Sequence, residues 1–190
     1  MICEWTTCVR KHGLASLVDD QTEILILGSL PSDESLSKGQ YYAKPSNDFW
    51  KLLGAVLSEP LADASYATRI KILFAHKIGL WDLLHSSVRP GSMDGNISEI
   101  EFNDFSTLKH IAPNLKLICF NGQKAAEAEE QLNALGYKTQ VLPSSSGANR
   151  RNQTERLRSW RKHLFAHVGV ECEQSSGTQS ETNTCREECS

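Results

Sequence analysis

The chain has 190 residues, 39% of them hydrophobic, and a formal net charge of −3, which gives apolar material for one well-buried core and too little length for two comfortable domains. No apolar run approaches the ~20 residues of a membrane span, and the first residues, with Glu4, Arg10 and Lys11, lack the apolar stretch of a signal peptide. A single intracellular, monomeric domain over residues 1–170 is expected, cytoplasmic or, in a eukaryote, nuclear. Residues 171–190 carry five acids against one Arg and no large apolar side chain, and read as a disordered acidic tail. The body that remains is near neutral, so the local placement of charge must decide whether nucleic acid is a partner.

The first residues, 1–21, show no clean period and read as a wrap around the domain, with Trp5, Leu14 and Leu17 as anchors. Glu23 to Leu27 is a largely apolar run ending at Gly28 and predicts a buried parallel strand. A polar loop follows, and from Phe49 to Leu57 apolar residues recur at helical spacing, with Ser46 or Asn47 placed to cap the helix. A second helix is predicted over Ser65 to His76, a strand over Ile78 to Leu84, and a short helix over Phe102 to Ile111 that Pro113 ends. Leu115 to Phe120 predicts a third strand, Lys124 to Leu135 a helix stopped by Gly136, Lys138 to Leu142 a last strand, and Gln153 to His167 a basic amphipathic helix. Strands alternating with helices predict an α/β fold with a parallel sheet covered on both faces. Its sites should gather at the carboxyl ends of the strands, in the loops 29–47, 85–96, 121–124 and 143–151. The six cysteines (Cys3, Cys8, Cys119, Cys172, Cys185 and Cys189) show no Cys-x-x-Cys spacing. No metal site is expected, and Cys119, inside an apolar strand, reads as a reduced core residue.

Several segments carry chemistry. Gly28-Ser29-Leu30-Pro31 is a tight turn, a common structural device in itself. Tyr41 to Lys51 places two aromatics, a cation and the Asn47 amide in one strand-to-helix loop; an aromatic there can sandwich a flipped-out base and an amide can hold a water, while the bland account has a tyrosine in the core and Asn47 as a cap. Asp82 sits in an otherwise apolar strand, where an unpaired carboxylate is costly, so it wants a partner: Arg89 in the structural account, a base in the functional one. Pro143 to Arg151 offers small residues with free N–H groups (Ser144, Ser145, Ser146, Gly147) together with Asn149, Arg150 and Arg151, a set suited to phosphate contact or entry into a DNA groove. Residues 150–162 hold six basic side chains (Arg150, Arg151, Arg156, Arg158, Arg161 and Lys162) against Glu155, a phosphate-binding patch or simply a solvated helix face.

In this order the segments resemble the uracil-DNA glycosylase superfamily. Ile24 to Pro31 (ILILGSLP) is similar to its first motif, Lys44 to Lys51 (KPSNDFWK) to the His-Pro-x-Asn-x-Phe-Trp-Lys stretch of mismatch-specific and hypoxanthine-DNA glycosylases, and Pro143 to Arg150 (PSSSGANR) to its second motif. Gly79-Leu80-Trp81-Asp82, Arg89-Pro90-Gly91-Ser92 and Phe120-Asn121-Gly122 resemble the hypoxanthine branch in particular, and the likeness spans Glu23 to Leu164. It implies a three-layer α/β/α fold with a central parallel four-stranded sheet. It also implies that Asn47 positions water, that Tyr42 stacks on the extruded base, that Gly28, Ser29, Leu30, Asp82 and Asn121 surround that base, and that Ser144 to Asn149 probe the groove. Leu30 stands where much of the superfamily has a catalytic Asp or Asn, which shifts the burden to Asn47; Lys44 stands for a common His, and Ser32 and Gly147 for a usual Gly and Pro.

The implied reaction is hydrolysis of the bond between a deaminated base, hypoxanthine foremost, and deoxyribose, without cofactor, metal or Schiff base, on damaged duplex and possibly single-stranded DNA. Two other readings are a binding module of the same fold that no longer excises, and a hydrolase of free nucleosides or nucleotides. The former would bind duplex without making abasic product; the latter would be indifferent to neutralisation of Arg150 and Arg151.

Overall fold

The computed structural model describes residues 10–149 and 152–168. Residues 1–9 of the N-terminal wrap, Trp5 among them, Arg150, Arg151 and the acidic tail lie outside the described residues. Four strands, β2 (Ile24–Gly28), β3 (Ile78–Asp82), β6 (Leu117–Asn121) and β7 (Lys138–Leu142), form an all-parallel sheet in the order β3-β2-β6-β7. The central β2 is buried at all five positions, as a strand covered on both faces must be, and Ile, Leu and Gly at those positions leave no polar side chain to satisfy. Because its side chains alternate, Ile24 and Ile26 face one apolar cluster and Leu25 and Leu27 the other.

On the first face lie α2 (Phe49–Leu57), α3 (Tyr66–Ala75) and α6 (Gln153–Val168); Phe49, Trp50, Leu53, Leu73, Trp160 and Leu164 pack there with Ile24 and Ile26. On the second face lie α4 (Leu108–Ile111) and α5 (Glu129–Ala134), with Phe105, Leu108, Ala125, Ala128 and Leu132 against Leu25 and Leu27. Each fully buried Leu, Ile or Phe contributes about 1.5–3 kcal/mol relative to exposure. Cys119 is a fully buried member of the first cluster, and burial pushes its thiol up to about 12. Leu14 and Leu17 pack on the same cluster, and Leu17 exchanges backbone hydrogen bonds with Leu80, so the anchoring expected of them is present.

Four local expectations differ from the structure. The polar segment after β2 contains a helix, α1 (Asp33–Lys38), capped by the Ser32 side chain and closed by Gly39 in the left-handed region at φ 61°. The strand expected over Ile78 to Leu84 leaves the parallel sheet at Asp82 and re-pairs as β4 (Leu84–Val88) in a second, antiparallel sheet between β1 (Arg10–His12) and the exposed β5 (Ser98–Phe102). The helix expected over Phe102 to Ile111 begins only at Phe105, since Phe102 ends β5. The helix expected over Lys124 to Leu135 opens as a 3₁₀ segment, Ala125–Ala128, whose threefold turn sets buried Ala125 and Ala128 on one face.

The chain leaves β2 for β3 on one side and later returns to β6 on the other. The carboxyl ends of β2, β3 and β6 therefore border the point where strand order reverses, the position at which open α/β sheets bind ligands. Gly28, Asp82 and Asn121 are the last residues of those three strands, and Gly28 is the register partner of Asp82.

Candidate active site

A cavity of about 530 Å³ opens over these strand ends. It brings together Gly28, Ser29 and Leu30 from the first turn, Tyr42 and Asn47 from the loop before α2, Asp82, Asn121, and Ser144, Ser145, Ser146 and Gly147 after β7. Of the residues singled out from the sequence, Asn149 lies off the lining and donates from Nδ2 to the Ser144 carbonyl at 3.1 Å.

The floor is polar and unsatisfied. A Cβ on Gly28 would lie 2.8 Å from Asp82 Oδ1 and 3.2 Å from Tyr42 Oη, so the absence of a side chain there keeps open the space between the carboxyl and the phenol. Asp82 Oδ2 and Tyr42 Oη are both buried without a hydrogen-bond partner. Desolvation pushes the Asp82 carboxyl up to about 7, against the opposing pull of the Leu14 N–H, the Tyr41 hydroxyl and the Arg89 charge, and it also drives the Tyr42 phenol well above its ordinary value. Orphaned buried polar groups cost about 1–3 kcal/mol each; of the two carboxyl oxygens it is Oδ1, not the orphaned Oδ2, that borders the space over Gly28.

Tyr42 takes φ 52°, the left-handed region that bulky side chains rarely adopt and that strained functional sites collect. Its ring stacks on Phe49 with centroids 3.7 Å apart and planes 10° from parallel, which fixes a half-buried aromatic wall beside the floor. Tyr41, next to it, is the core residue of the pair, 3% exposed. At the rim, Asn47 Oδ1 accepts from Phe49 N–H at 3.0 Å. That bond orients the amide, while Oδ1 keeps a second lone pair; the N-cap of α2, expected at Ser46 or Asn47, is Asp48, whose side chain makes no cap bond.

Several expectations about roles change. Asp82 is not paired with Arg89: the buried Arg89 guanidinium donates to the carbonyls of Leu30 and Pro31 and stands 3.8 Å from Asp94, so it braces the first turn. Asn121 donates from Nδ2 to Ser145 Oγ and accepts at Oδ1 from Ser145 N–H, both at 2.8 Å; both ends of its amide hold the loop after β7. The Leu30 side chain is buried in the second apolar cluster, so the turn offers the cavity backbone and the small side chains around it. Arg156, counted from sequence in the basic patch, is 5% exposed and ion-paired to Asp48 at 2.5 Å, with a second bond to the Ser144 carbonyl at 3.3 Å. Trp160 Nε1 donates to the Pro143 carbonyl at 2.9 Å, so α6 acts as a clamp on the 143–148 loop. Lys162 faces the opposite end of the sheet with Leu117 and Lys138, which leaves it unable to share a phosphate backbone with the cavity.

Arg89, Arg156 and Asp48 are thus the positioning residues that the sequence reading missed. The signal for Asp48 and Arg156 was weak, since an acid at a helix start and a base on a helix are both ordinary surface choices. Gly147 has a clear cause: a Cβ there would lie 2.2 Å from the Ser46 carbonyl oxygen, so a Pro at this position would push apart the two loops that form the rim. Among the described residues no cluster of three or more His, Cys, Asp or Glu is arranged to hold a metal ion.

Gly28→Ala places a methyl group between Asp82 and Tyr42. The single-turnover rate is expected to fall by about 100-fold, the loss typical of a displacement near 1 Å, with the far-ultraviolet circular dichroism spectrum unchanged; a rate within threefold of wild type would show that the space over Gly28 is not used.

The strand-end cavity, with its polar floor and its small-residue loop, defines a class of enzyme, and comparison with known proteins identifies it. A family model described as the uracil DNA glycosylase superfamily matches residues 15–167, and the chain belongs to that superfamily. Within it the similarity falls on the hypoxanthine branch. A hypoxanthine DNA glycosylase of Methanosarcina acetivorans is 52% identical over 157 residues, 83% of this chain and 99% of the relative. Another, from Methanosarcina barkeri, is 50% identical over 152 residues, 80% of this chain and 96% of the relative. The solution NMR structure of a candidate uracil DNA glycosylase from M. acetivorans superposes with a TM-score of 0.77 at 51% identity, covering 84% of this chain and 99% of that one.

Proposed function

We propose that the chain is a monofunctional DNA glycosylase that hydrolyses the N-glycosidic bond of deoxyinosine and so initiates base excision repair. The observation that carries this reading is the buried Asp82 carboxyl on the cavity lining, with Oδ1 beside the space left open over Gly28. Hypoxanthine presents N1–H on its Watson–Crick edge, and the Asp82 carboxylate can accept from it. Adenine presents an acceptor at N1 and would leave the carboxylate unpaired, which is the situation in which discrimination by hydrogen bonding is strongest.

In this reading Tyr42 forms the aromatic wall for the extruded base and Asn47 holds a water near the anomeric carbon. An amide is too weak a base to remove a proton early, so its contribution is orientation and electrostatic support of the oxocarbenium-like transition state. Ser144 to Gly147 meet the DNA groove, and Asn121, Asp48 and Arg156 hold that loop at the rim. Arg150 and Arg151 supply phosphate contacts as the chemistry of their side chains suggests. The enzyme works as a single domain and a monomer, in the cytoplasm or, in a eukaryote, the nucleus.

The same purified enzyme is offered deoxyinosine in a duplex and free deoxyinosine, and released hypoxanthine is followed by chromatography. Release from duplex with none from the nucleoside is expected, because the loops around the cavity act on DNA; equal release from both would favour a nucleoside hydrolase.

A further inference from the structure

We propose that Tyr41 is the positioning residue for Asp82: when the carboxyl loses its proton, the buried Tyr41 hydroxyl turns to Oδ2 and holds Oδ1 toward the base. This rests on the glycosylase reading above and deepens it by naming the group that readies the base-reading carboxylate. The two carboxyl oxygens face different ground. Oδ1 borders the space over Gly28, 2.8 Å from where a Cβ would stand, whereas Oδ2 lies toward the N-terminal segment, 3.8 Å from the equivalent point on Gly13. The next two residues of that segment, Leu14 and Ala15, present the carbonyls to which Tyr41 Oη donates, at 3.4 and 3.2 Å. Hydroxyl and Oδ2 thus both lie against residues 13–15, and Oδ2 is buried without a partner.

A single O–H cannot serve two carbonyls well, and both distances exceed the ~2.7–2.8 Å usual for an O–H···O bond. An ionised carboxylate is the stronger acceptor, since charge-assisted bonds are about twice as strong as neutral ones. Ionisation of Asp82 therefore redirects the hydroxyl, which remains the donor throughout. Tyr41 is held for this task by its own backbone: its N–H donates to Tyr66 Oη at 3.1 Å and its carbonyl accepts from Trp50 Nε1 at 3.3 Å. The side chain lines the cavity. Burial first, then the Asp82 charge, drive its phenol well above the ordinary value, so it gives a hydrogen bond and no proton. The other groups acting on Asp82 are the Leu14 N–H, Arg89, Asp94 and the Tyr42 phenol, which burial also drives up. Arg89 and the two phenols keep their protons through the neutral range, so the step read there belongs to the carboxyl.

The test is Tyr41→Phe, which keeps the ring in the core and removes only the hydroxyl. In the DNA-free enzyme the aspartate carboxyl carbons are isotope-labelled and followed by NMR, and the Asp82 signal is assigned by its loss in Asp82→Asn. Its titration midpoint is expected to rise by about one pH unit in Tyr41→Phe, the shift that follows from losing a hydrogen bond to a charged group. The single-turnover profile on a hypoxanthine duplex should move with it, leaving the variant about tenfold slow near pH 6 and within about twofold of wild type near pH 9. A rate lowered equally at every pH, with the carboxyl titration unmoved, marks a structural role and overturns the proposal, as does an unchanged titration with an unchanged rate. If wild type releases no hypoxanthine, the glycosylase reading falls, and the carboxyl titration decides the tie between Tyr41 and Asp82 by itself.

Discussion

Asn47→Ala is expected to lower single-turnover excision of hypoxanthine by about 10²–10³-fold, the range found when one preorganised polar group is removed from a transition state that develops charge, while duplex affinity changes by no more than a few-fold. The argument begins with what the site lacks. Leu30 occupies the position where an acid or amide is common in the superfamily, its side chain is in the core, and Asp48 is committed to Arg156. Asn47 is then the rim residue whose polar group is both oriented, by Phe49 N–H at 3.0 Å, and placed on the cavity. Because the same oxygen accepts from the first N–H of α2, the alanine variant also loses about 1 kcal/mol of stability. Asn47→Asp separates the effects: it keeps the acceptor for Phe49 N–H and supplies a stronger acceptor for water, so it should retain much of the rate that alanine loses. An alanine variant within tenfold of wild type would move the water-positioning role to another residue.

Asp82 governs the second large effect, through both stability and activity. Its carboxyl titrates at about 7 in the fold and at the ordinary 3.8 when the chain is unfolded. Between these values the unfolded chain has released its proton and the folded chain still holds it, so stability falls as pH rises from about 4 to about 7 and is level above that. The shift corresponds to a cost of about 4 kcal/mol at pH 8 relative to pH 3. Asp82→Asn cannot ionise and escapes the cost, so in urea unfolding its stability relative to wild type should climb steadily between pH 4 and pH 7. Activity moves the other way. Acceptance from the hypoxanthine N1–H needs the carboxylate, so the wild-type rate should rise with pH toward a plateau above about 7, and Asp82→Asn should flatten that step. A stability difference independent of pH would show that the carboxyl is solvated in the free enzyme.

The parallel sheet was legible because β2, β3 and β6 are largely apolar runs, because Gly136 and Pro143 bracket the more polar β7, and because α2 repeats its apolar residues at helical spacing. The second sheet was not legible. β5 is exposed at every position and β4 pairs with residues more than seventy positions away in β1, so neither carries a local hydrophobic signature. α1 was readable from its caps, Ser32 and Gly39, but is too short and polar for periodicity to reveal. At the site, spacing and strand ends located Gly28, Tyr42, Asn47 and Asp82 together. What spacing could not show was how buried polar groups divide their hydrogen bonds: Asn121 went to Ser145, Arg89 to two carbonyls, Arg156 to Asp48, and Asp82 Oδ2 to no protein partner. Those choices depend on three-dimensional neighbours separated by up to a hundred residues. Gly147 is the converse case, a departure from the family pattern that acquires its reason only when Ser46 is seen against it.

The central claim is that the cavity selects hypoxanthine in DNA and cleaves its glycosidic bond. The most direct measurement is single-turnover cleavage of end-labelled duplexes that differ only in one base, hypoxanthine, xanthine, uracil or adenine, with alkali used to reveal the abasic site. The account predicts an alkali-labile product from the hypoxanthine duplex at a rate well above the others and none from adenine. Faster cleavage of uracil, or binding to every duplex without product, would contradict it.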